Sequence, residues 1–188
     1  VIDCSDNAKI IFGLDNKLRE DELQNIIKNG LLYQYFNYEN IKKGDVLYIP
    51  SGTVHAILGN TLLCEVQQNS DLTYRIYDWD RTDKNGNSRE LHIEKALDVI
   101  ALNQKLDVIH TDSQIEVEKN VVNSKFFKVD KLNIKNAYYD VSSKDTFYAM
   151  NVISGEGVLE VNNTKLQYNL KKGDSFIIPS NLGEYSIM

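Results

Sequence analysis

The residues whose types and spacing could do chemistry begin with one histidine in a run marked by glycines and a proline. His55 completes the spacing Gly-x5-Pro-x-Gly-x2-His, which starts at Gly44. A Gly-Asp pair makes a tight turn into a short strand, and proline ends that strand because it cannot donate a hydrogen bond to the ladder. The spacing therefore predicts a strand-turn-strand unit. One interpretation of His55 within it is a side chain that is merely buried and hydrogen-bonded.

Charged side chains that could act on a substrate follow His55 in the chain: Glu65, Asp71, Arg75 and Arg81. Glu65 lies in an otherwise apolar strand, where a charge needs a partner in a binding site or in a structural ion pair. Arg75 lies on a predicted strand, and residues separated by an even number share a face of a strand. Arg75 therefore shares a face with Asp71 and Arg81 if the strand stays regular. The alternatives are an ion pair of Arg75 with Asp71 or Asp78, and an Arg81 that is merely solvated.

Two stretches of the chain resemble known families. The spacing from Gly44 to His55 is similar to the second conserved motif of the cupins, whose histidine points into a β-barrel and binds a metal. A longer run closely resembles type I mannose-6-phosphate isomerases in their short bacterial form. Its most specific blocks are Tyr48–Ala56, Glu65–Arg81 and Arg89–Ala96. The resemblance extends over essentially the whole chain.

The resemblance implies a zinc enzyme that interconverts mannose 6-phosphate and fructose 6-phosphate by proton transfer between C1 and C2 through an enediol. The family binds one zinc ion through a Gln-x-His pair, a glutamate and a later histidine, and His55 matches the later histidine. The other ligands precede Val1 in the family pattern, and a catalytic zinc normally needs three protein ligands. We therefore expect a chain truncated at its N-terminus that is inactive and holds no tight zinc.

The same resemblance assigns roles to the charged residues. Arg75 matches the family's catalytic arginine, which would place a fixed positive charge beside the oxygen that becomes an enediolate. Arg81 matches a basic position near the substrate phosphate. Glu65 and Asp71 fall where the family places acidic groups at the pocket. Two candidates remain for the general base, Glu65 and a metal-bound water.

An internal repeat indicates how the elements that position these residues are built. Lys42–Ser51 recurs as Lys171–Ser180, with the same Lys-Lys-Gly-Asp and Ile-Pro-Ser, and both prolines of the chain lie in it. In the second copy Asn181 replaces the second glycine of the motif, and Glu184 replaces the histidine. The repeat predicts two β-units of one kind, of which the second has kept the fold and lost the metal.

Many short strands with regular turn signals indicate a β-sandwich or jelly roll. We predict an all-β fold with helical insertions, a tandem cupin-like β-sandwich or jelly roll whose first unit is incomplete. Residues 1–113 are predicted to form the C-terminal part of the catalytic cupin unit, and residues 114–188 a second, degenerate cupin-like unit.

Particular elements of the first unit follow from local patterns. Apolar spacing predicts helices at about Glu20–Asn29 and Ile93–Leu102. Ala56–Leu58 and Thr61–Leu63 flank a Gly-Asn pair and are predicted to form a hairpin. Thr73–Tyr77 is predicted to be a strand.

Composition narrows the classes of partner. The net charge is −6 and no lysine- or arginine-rich stripe offsets it, so we expect no nucleic acid partner. No apolar run approaches the roughly 20 residues that cross a bilayer, so we expect no membrane association. The two cysteines form no disulfide framework, which favours a reducing cytoplasm. The expected partner is a small sugar phosphate, and the oligomeric state stays open.

Two other functions compete with the isomerase. A non-catalytic sugar-phosphate-binding or regulatory cupin would lack the upstream Gln-x-His and glutamate ligands. An iron-dependent dioxygenase of cupin type would place two or three histidines around the metal. The block from Gln67 to Arg81 argues against the dioxygenase.

Overall fold

The computed structural model describes residues 1–112 and 114–188, which divide into two compact units. The first contains residues 1–111 and 124–127, and the second contains residues 112–123 and 128–188. The predicted boundary residue, Ser113, lies outside the described residues. Across the two described ranges, no helix has both the length and the apolar character needed to cross a membrane.

The first unit combines short strands with two helices and a 3-10 turn. Its elements are β1 (Asp3–Cys4), β2 (Lys9–Leu14), α1 (Glu20–Lys28), a 3-10 helix (Leu32–Tyr35), β3 (Phe36–Asn40), β4 (Val46–Leu47), β5 (His55–Ile57), β6 (Thr61–Leu62), α2 (Ile93–Leu97) and β7 (Val108–Ile109). The main sheet is antiparallel with the order β3-β2-β5, and β1 pairs with β6 and β4 with β7.

Strand β2 supplies the apolar centre of the first unit because both of its faces are covered. Ile11 belongs to a cluster that includes Leu23 and Ile27 of α1. Ile10 and Phe12 belong to a second cluster on the opposite face. The continuous apolar run in β2 thus reflects burial on two sides.

In the part of the second unit that the structure describes, all regular secondary structure is β-strand. They are β8 (Val117–Asn123), β9 (Lys128–Leu132), β10 (Tyr138–Val141), β11 (Tyr148–Asn151), β12 (Glu156–Val161), β13 (Leu166–Lys171), β14 (Ser175–Ile178) and β15 (Glu184–Ile187). An antiparallel sheet has the order β10-β15-β12-β13, while β11 pairs with β14 and β8 with β9. The predicted all-β class with helical insertions is confirmed.

The repeated motif folds in the same way in both units. Gly44 and Gly173 have φ angles of +93° and +94°. In each copy the aspartate that follows, Asp45 or Asp174, accepts a 2.9 Å hydrogen bond from the backbone N–H of the residue three positions earlier. Glycine tolerates the left-handed backbone, and the aspartate side chain closes the turn.

Two predicted elements of the first unit are wrong, and the second predicted helix is shorter than expected. The expected hairpin is absent, because β5 pairs with β2 and β6 with β1. The range 73–77 is not a strand, because the backbone N–H and C=O of Arg75 both bond to His92. Helix α2 ends at Leu97, since the N–H of Ala101 bonds to the carbonyl of Gly52 and the chain leaves the helical path.

Candidate active site

His55 begins β5 and lies opposite Phe12 of β2 in the sheet register. The residue is exposed, so the interpretation as a buried histidine does not describe it. Its Nδ1 lies 2.9 Å from the carbonyl oxygen of Thr53. A carbonyl can only accept, so Nδ1 carries the proton and Nε2 is left as the metal-binding nitrogen. A backbone carbonyl that fixes the tautomer in this way is typical of histidines that bind metals.

The other potential metal ligands do not gather around His55. Among the residues that the structure describes, no three His, Cys, Asp or Glu side chains are placed to hold one ion. A zinc site needs three or four protein ligands. Among the described residues, His55 could therefore supply a single ligand of such a site.

Arg75 is fixed through its backbone by His92. The Arg75 N–H donates to His92 Nδ1 at 3.1 Å, and the His92 N–H donates to the Arg75 carbonyl at 2.7 Å. The guanidinium makes one long contact, 3.4 Å from Nη1 to the carbonyl oxygen of Glu90. Within the described ranges it forms no ion pair with Asp71 or Asp78. Most of its N–H donors thus remain available for a ligand.

Arg81 closes a turn that begins at Asp78. Its backbone N–H donates to the Asp78 carbonyl at 3.1 Å, its Nε donates to the same oxygen at 3.2 Å, and its Nη2 pairs with Asp78 Oδ1. The guanidinium also lies 5.3 Å from the centroid of the Trp79 ring, a cation–π distance. Arg81 is therefore held in place, in contrast to the solvated strand end that was the alternative.

Glu65 and Asp71 are both exposed, in a stretch without regular secondary structure. In the described part of the chain neither carboxylate has a hydrogen bond or ion pair. The partner expected for Glu65 is not needed, because the apolar strand that would have buried it ends at Leu62. No hydrogen bond or ion pair among the described residues joins any two of His55, Glu65, Asp71, Arg75 and Arg81.

An aromatic cluster supports the segment that carries the arginines. Tyr77 packs against Phe36 at 5.6 Å, Trp79 at 5.2 Å and Tyr33 at 6.2 Å between ring centroids. Desolvation, with the Asp80 carboxylate and neighbouring tyrosines, raises the pKa of the Tyr77 hydroxyl. The aromatic residues Tyr33 and Phe36 thus pack against this segment.

Sequence reasoning missed Arg89 and the part played by Asp78. Nη1 of Arg89 lies 3.6 Å from Asp78 Oδ1, so the two arginines 81 and 89 share one carboxylate. The side chain of His92 makes no cap bond to helix α2 and instead accepts a hydrogen bond from the Arg75 N–H. The only available signal was that Arg89 and His92 lie in the same family-like block.

Comparisons with known proteins connect this arrangement to a family. Residues 117–188 match the model described as mannose-6-phosphate isomerase, cupin domain. The chain is 40% identical to the protein named probable mannose-6-phosphate isomerase GmuF of Bacillus subtilis, and 36% identical to mannose-6-phosphate isomerase ManA of the same organism. Each alignment covers 100% of this chain and 59% of the relative.

A solved structure agrees with the sequence comparison. The crystal structure of the mannose 6-phosphate isomerase from Bacillus subtilis superposes with a TM-score of 0.86 at 36% identity, covering 100% of this chain and 59% of that one. The likeness thus includes both units and the segment that carries Arg75 and Arg81. The chain is thus similar to mannose-6-phosphate isomerases over its whole length, and it spans 59% of the length of these relatives.

Proposed function

We propose that the chain is the part of a zinc-dependent isomerase that contributes one metal ligand and two substrate-binding arginines. The complete protein would interconvert mannose 6-phosphate and fructose 6-phosphate. The observation that carries the proposal is that Arg75 has a fixed backbone and a guanidinium with few partners. Its backbone is fixed on both sides by His92, while its guanidinium makes only one 3.4 Å contact. A charge placed in advance with unused donors suits an oxygen that becomes negative during the reaction.

Each residue has a distinct task in this proposal. Zinc, when bound, polarises the substrate oxygens as a Lewis acid. His55 would hold the ion through Nε2. Arg75 would stabilise the enediolate oxygen, and Arg81 would bind the phosphate. The exposed carboxylate of Glu65 is the candidate of this chain for moving the proton between C1 and C2, and Asp71 would contact the sugar.

Metal removal tests the zinc requirement and the role of His55. We expect the complete protein to lose isomerase activity after dialysis against a chelator and to regain it with zinc. His55→Ala should lower bound zinc at least about tenfold, because it deletes one of the few protein ligands. Metal analysis by mass spectrometry gives the content. Full zinc occupancy in the His55→Ala protein would exclude this histidine as a ligand.

The 188-residue chain by itself is expected to be inactive and to retain no zinc after dialysis. One histidine cannot replace a set of three or four ligands. The described ranges contain no group of three potential metal ligands, which also suits a non-catalytic sugar-phosphate-binding protein. The sequence of the complete protein separates the two, since only the isomerase requires the upstream Gln-x-His and glutamate.

A cytoplasmic location is part of the proposal. Both cysteines, Cys4 and Cys64, are unpaired thiols in the structure, and a reducing compartment keeps thiols in this state.

A further inference from the structure

Asp78 is a buried acidic residue whose hydrogen bonding is incomplete. The residue is 7% exposed. Its Oδ1 atom pairs with the guanidinium groups of Arg81 and Arg89, while its Oδ2 atom is buried and has no hydrogen-bond partner in the described ranges. A buried carboxylate oxygen without a partner costs stability, so a purely structural ion pair would not be expected to leave one.

The backbone that carries Asp78 is strained. Trp79 and Asp80 both have φ of +52°, and the turn closes with the bond from the Arg81 N–H to the Asp78 carbonyl. Two consecutive left-handed residues usually require glycine or asparagine, and a tryptophan there is a steric outlier. Such strain persists where the surroundings enforce it, often at ligand sites. The turn brings the Arg81 side chain back over Asp78.

The two guanidinium groups keep donors that face solvent. The Arg81 and Arg89 side chains are 59% and 54% exposed, whereas the side chain of Asp78 is 8% exposed. Arg81 uses Nε and Nη2 in its bonds to Asp78, and Arg89 approaches with Nη1 only. Each guanidinium has five N–H donors, so both retain several. With one carboxylate and two guanidinium groups, the cluster carries a net positive charge.

We propose that Asp78 is a positioning residue that holds Arg81 and Arg89 together as one site for a phosphate monoester. The inference rests on the proposed function, because it identifies Arg89 as a second guanidinium for the phosphate of the sugar substrate. Paired guanidinium groups match the oxygens of a phosphate better than a single cation does. Asp78 acts through the arginines and touches no substrate.

Binding of inorganic phosphate to the complete protein, measured by calorimetry, tests the site without relying on catalysis. Arg89→Ala should weaken phosphate binding about tenfold and raise KM for mannose 6-phosphate by a similar factor, with kcat changed less than about threefold. Arg89→Lys should recover part of the loss, since it restores the charge but not the planar fork. Arg19→Ala is the matched control. Its guanidinium is exposed and pairs with Asp21, and we expect no change in phosphate binding.

Asp78→Asn is the decisive variant, because a neutralising role and a positioning role of Asp78 predict opposite changes in phosphate affinity. Removing a negative charge beside a phosphate site should tighten phosphate binding if Asp78 only neutralises its neighbours. If Asp78 positions the arginines, phosphate binding should weaken about three- to tenfold despite the added positive charge.

Failure of this inference differs from failure of the proposed function. Phosphate binding that is unchanged in Arg89→Ala, or unchanged or tighter in Asp78→Asn, would overturn the inference even with normal isomerase activity. Phosphate binding that weakens in both variants would support the site even if the complete protein isomerised no sugar.

Discussion

At the scale of single residues, Arg75 and Arg81 are fixed in different ways that suit different tasks. Arg75 is fixed by its backbone and has a guanidinium with one weak contact. Arg81 is fixed by its side chain, which bonds to Asp78. A group that stabilises developing charge should lower the barrier itself. A group that binds phosphate acts equally on the ground state and the transition state.

Substitution of these two arginines should therefore separate kcat from KM. In the complete protein Arg75→Ala should lower kcat by about 10²- to 10³-fold, because it removes a charge that acts mainly in the transition state. Arg81→Ala should raise KM more than it lowers kcat. Steady-state kinetics gives both constants, and zinc content should stay unchanged. Near-normal turnover by a folded Arg75→Ala protein would show that Arg75 does not stabilise the transition state.

Residue-level prediction from sequence reached those positions that a family pattern names. His55, Arg75 and Arg81 were proposed as site residues because the pattern fixes their spacing, and these assignments stay predictions. The pairing of Arg89 with Asp78 could not be found, because 11 positions separate them along the chain and no periodicity relates them. The need for a partner at Glu65 was wrong because it assumed a strand that the fold does not extend that far.

At the scale of elements, the repeated motif shows which local features a sequence specifies. The second glycine of the first copy, Gly52, has φ +84°, and its replacement in the second copy, Asn181, has φ +59°. Both positions are left-handed, and asparagine is one of the few other residues that tolerates this conformation. The loss of the glycine from the motif therefore leaves the turn intact. Patterns of this kind predict well because the turn depends on its own residues.

Gly52→Ala should destabilise the first unit by about 2 to 4 kcal/mol. A Cβ atom at Gly52 would clash with the carbonyl oxygen of Val99, in addition to the strain of the left-handed backbone. Urea unfolding monitored by circular dichroism measures the change. Gly59→Ala is the control, since no atom lies within 4 Å of its Cβ position and its φ is not in the left-handed region. Equal stability of the two variants would contradict this account of the turn.

Strand pairing was harder to predict than turns. The Gly-Asn pair at 59–60 suggested a hairpin, yet the flanking strands β5 and β6 pair with β2 and β1. These partners lie more than 40 residues away, and a local signal cannot choose between a near and a distant partner. The same limit applies to residues 73–77. Their composition is typical of a strand, but the backbone of Arg75 bonds to His92 instead of to a neighbouring strand.

At the scale of the whole molecule, the second unit has a polar centre of its own. The hydroxyl groups of Tyr138 and Tyr185 donate to Asp140 Oδ2 at 2.8 and 3.2 Å. Tyr185 is 0% exposed and belongs to the apolar cluster of this unit. Burial, with the Asp140 carboxylate nearby, raises the pKa of both tyrosines above the ordinary value. The stability of the second unit thus depends on the protonated form of both tyrosines.

This arrangement predicts loss of stability at high pH. A raised pKa in the folded state means that the stabilisation is complete below the unfolded pKa of about 10 and is lost as pH rises above it. Urea midpoints should therefore fall between about pH 10 and 11. In the double variant Tyr138→Phe/Tyr185→Phe the fall should be shallower. Tyr168→Phe, at a tyrosine that is 51% exposed, should leave the pH dependence as it is. An identical fall in the double variant would show that these tyrosines do not cause it.

The most direct test of the account is whether the complete protein moves a proton between C1 and C2 of a sugar phosphate. Mannose 6-phosphate deuterated at C2 is incubated with the zinc-loaded protein, and the product is followed by nuclear magnetic resonance. We predict fructose 6-phosphate, with deuterium divided between C1 of the product and water, and a rate at least about 10²-fold lower in Arg75→Ala. Binding of mannose 6-phosphate with full retention of the C2 label and no fructose 6-phosphate would contradict the account and identify a binding protein.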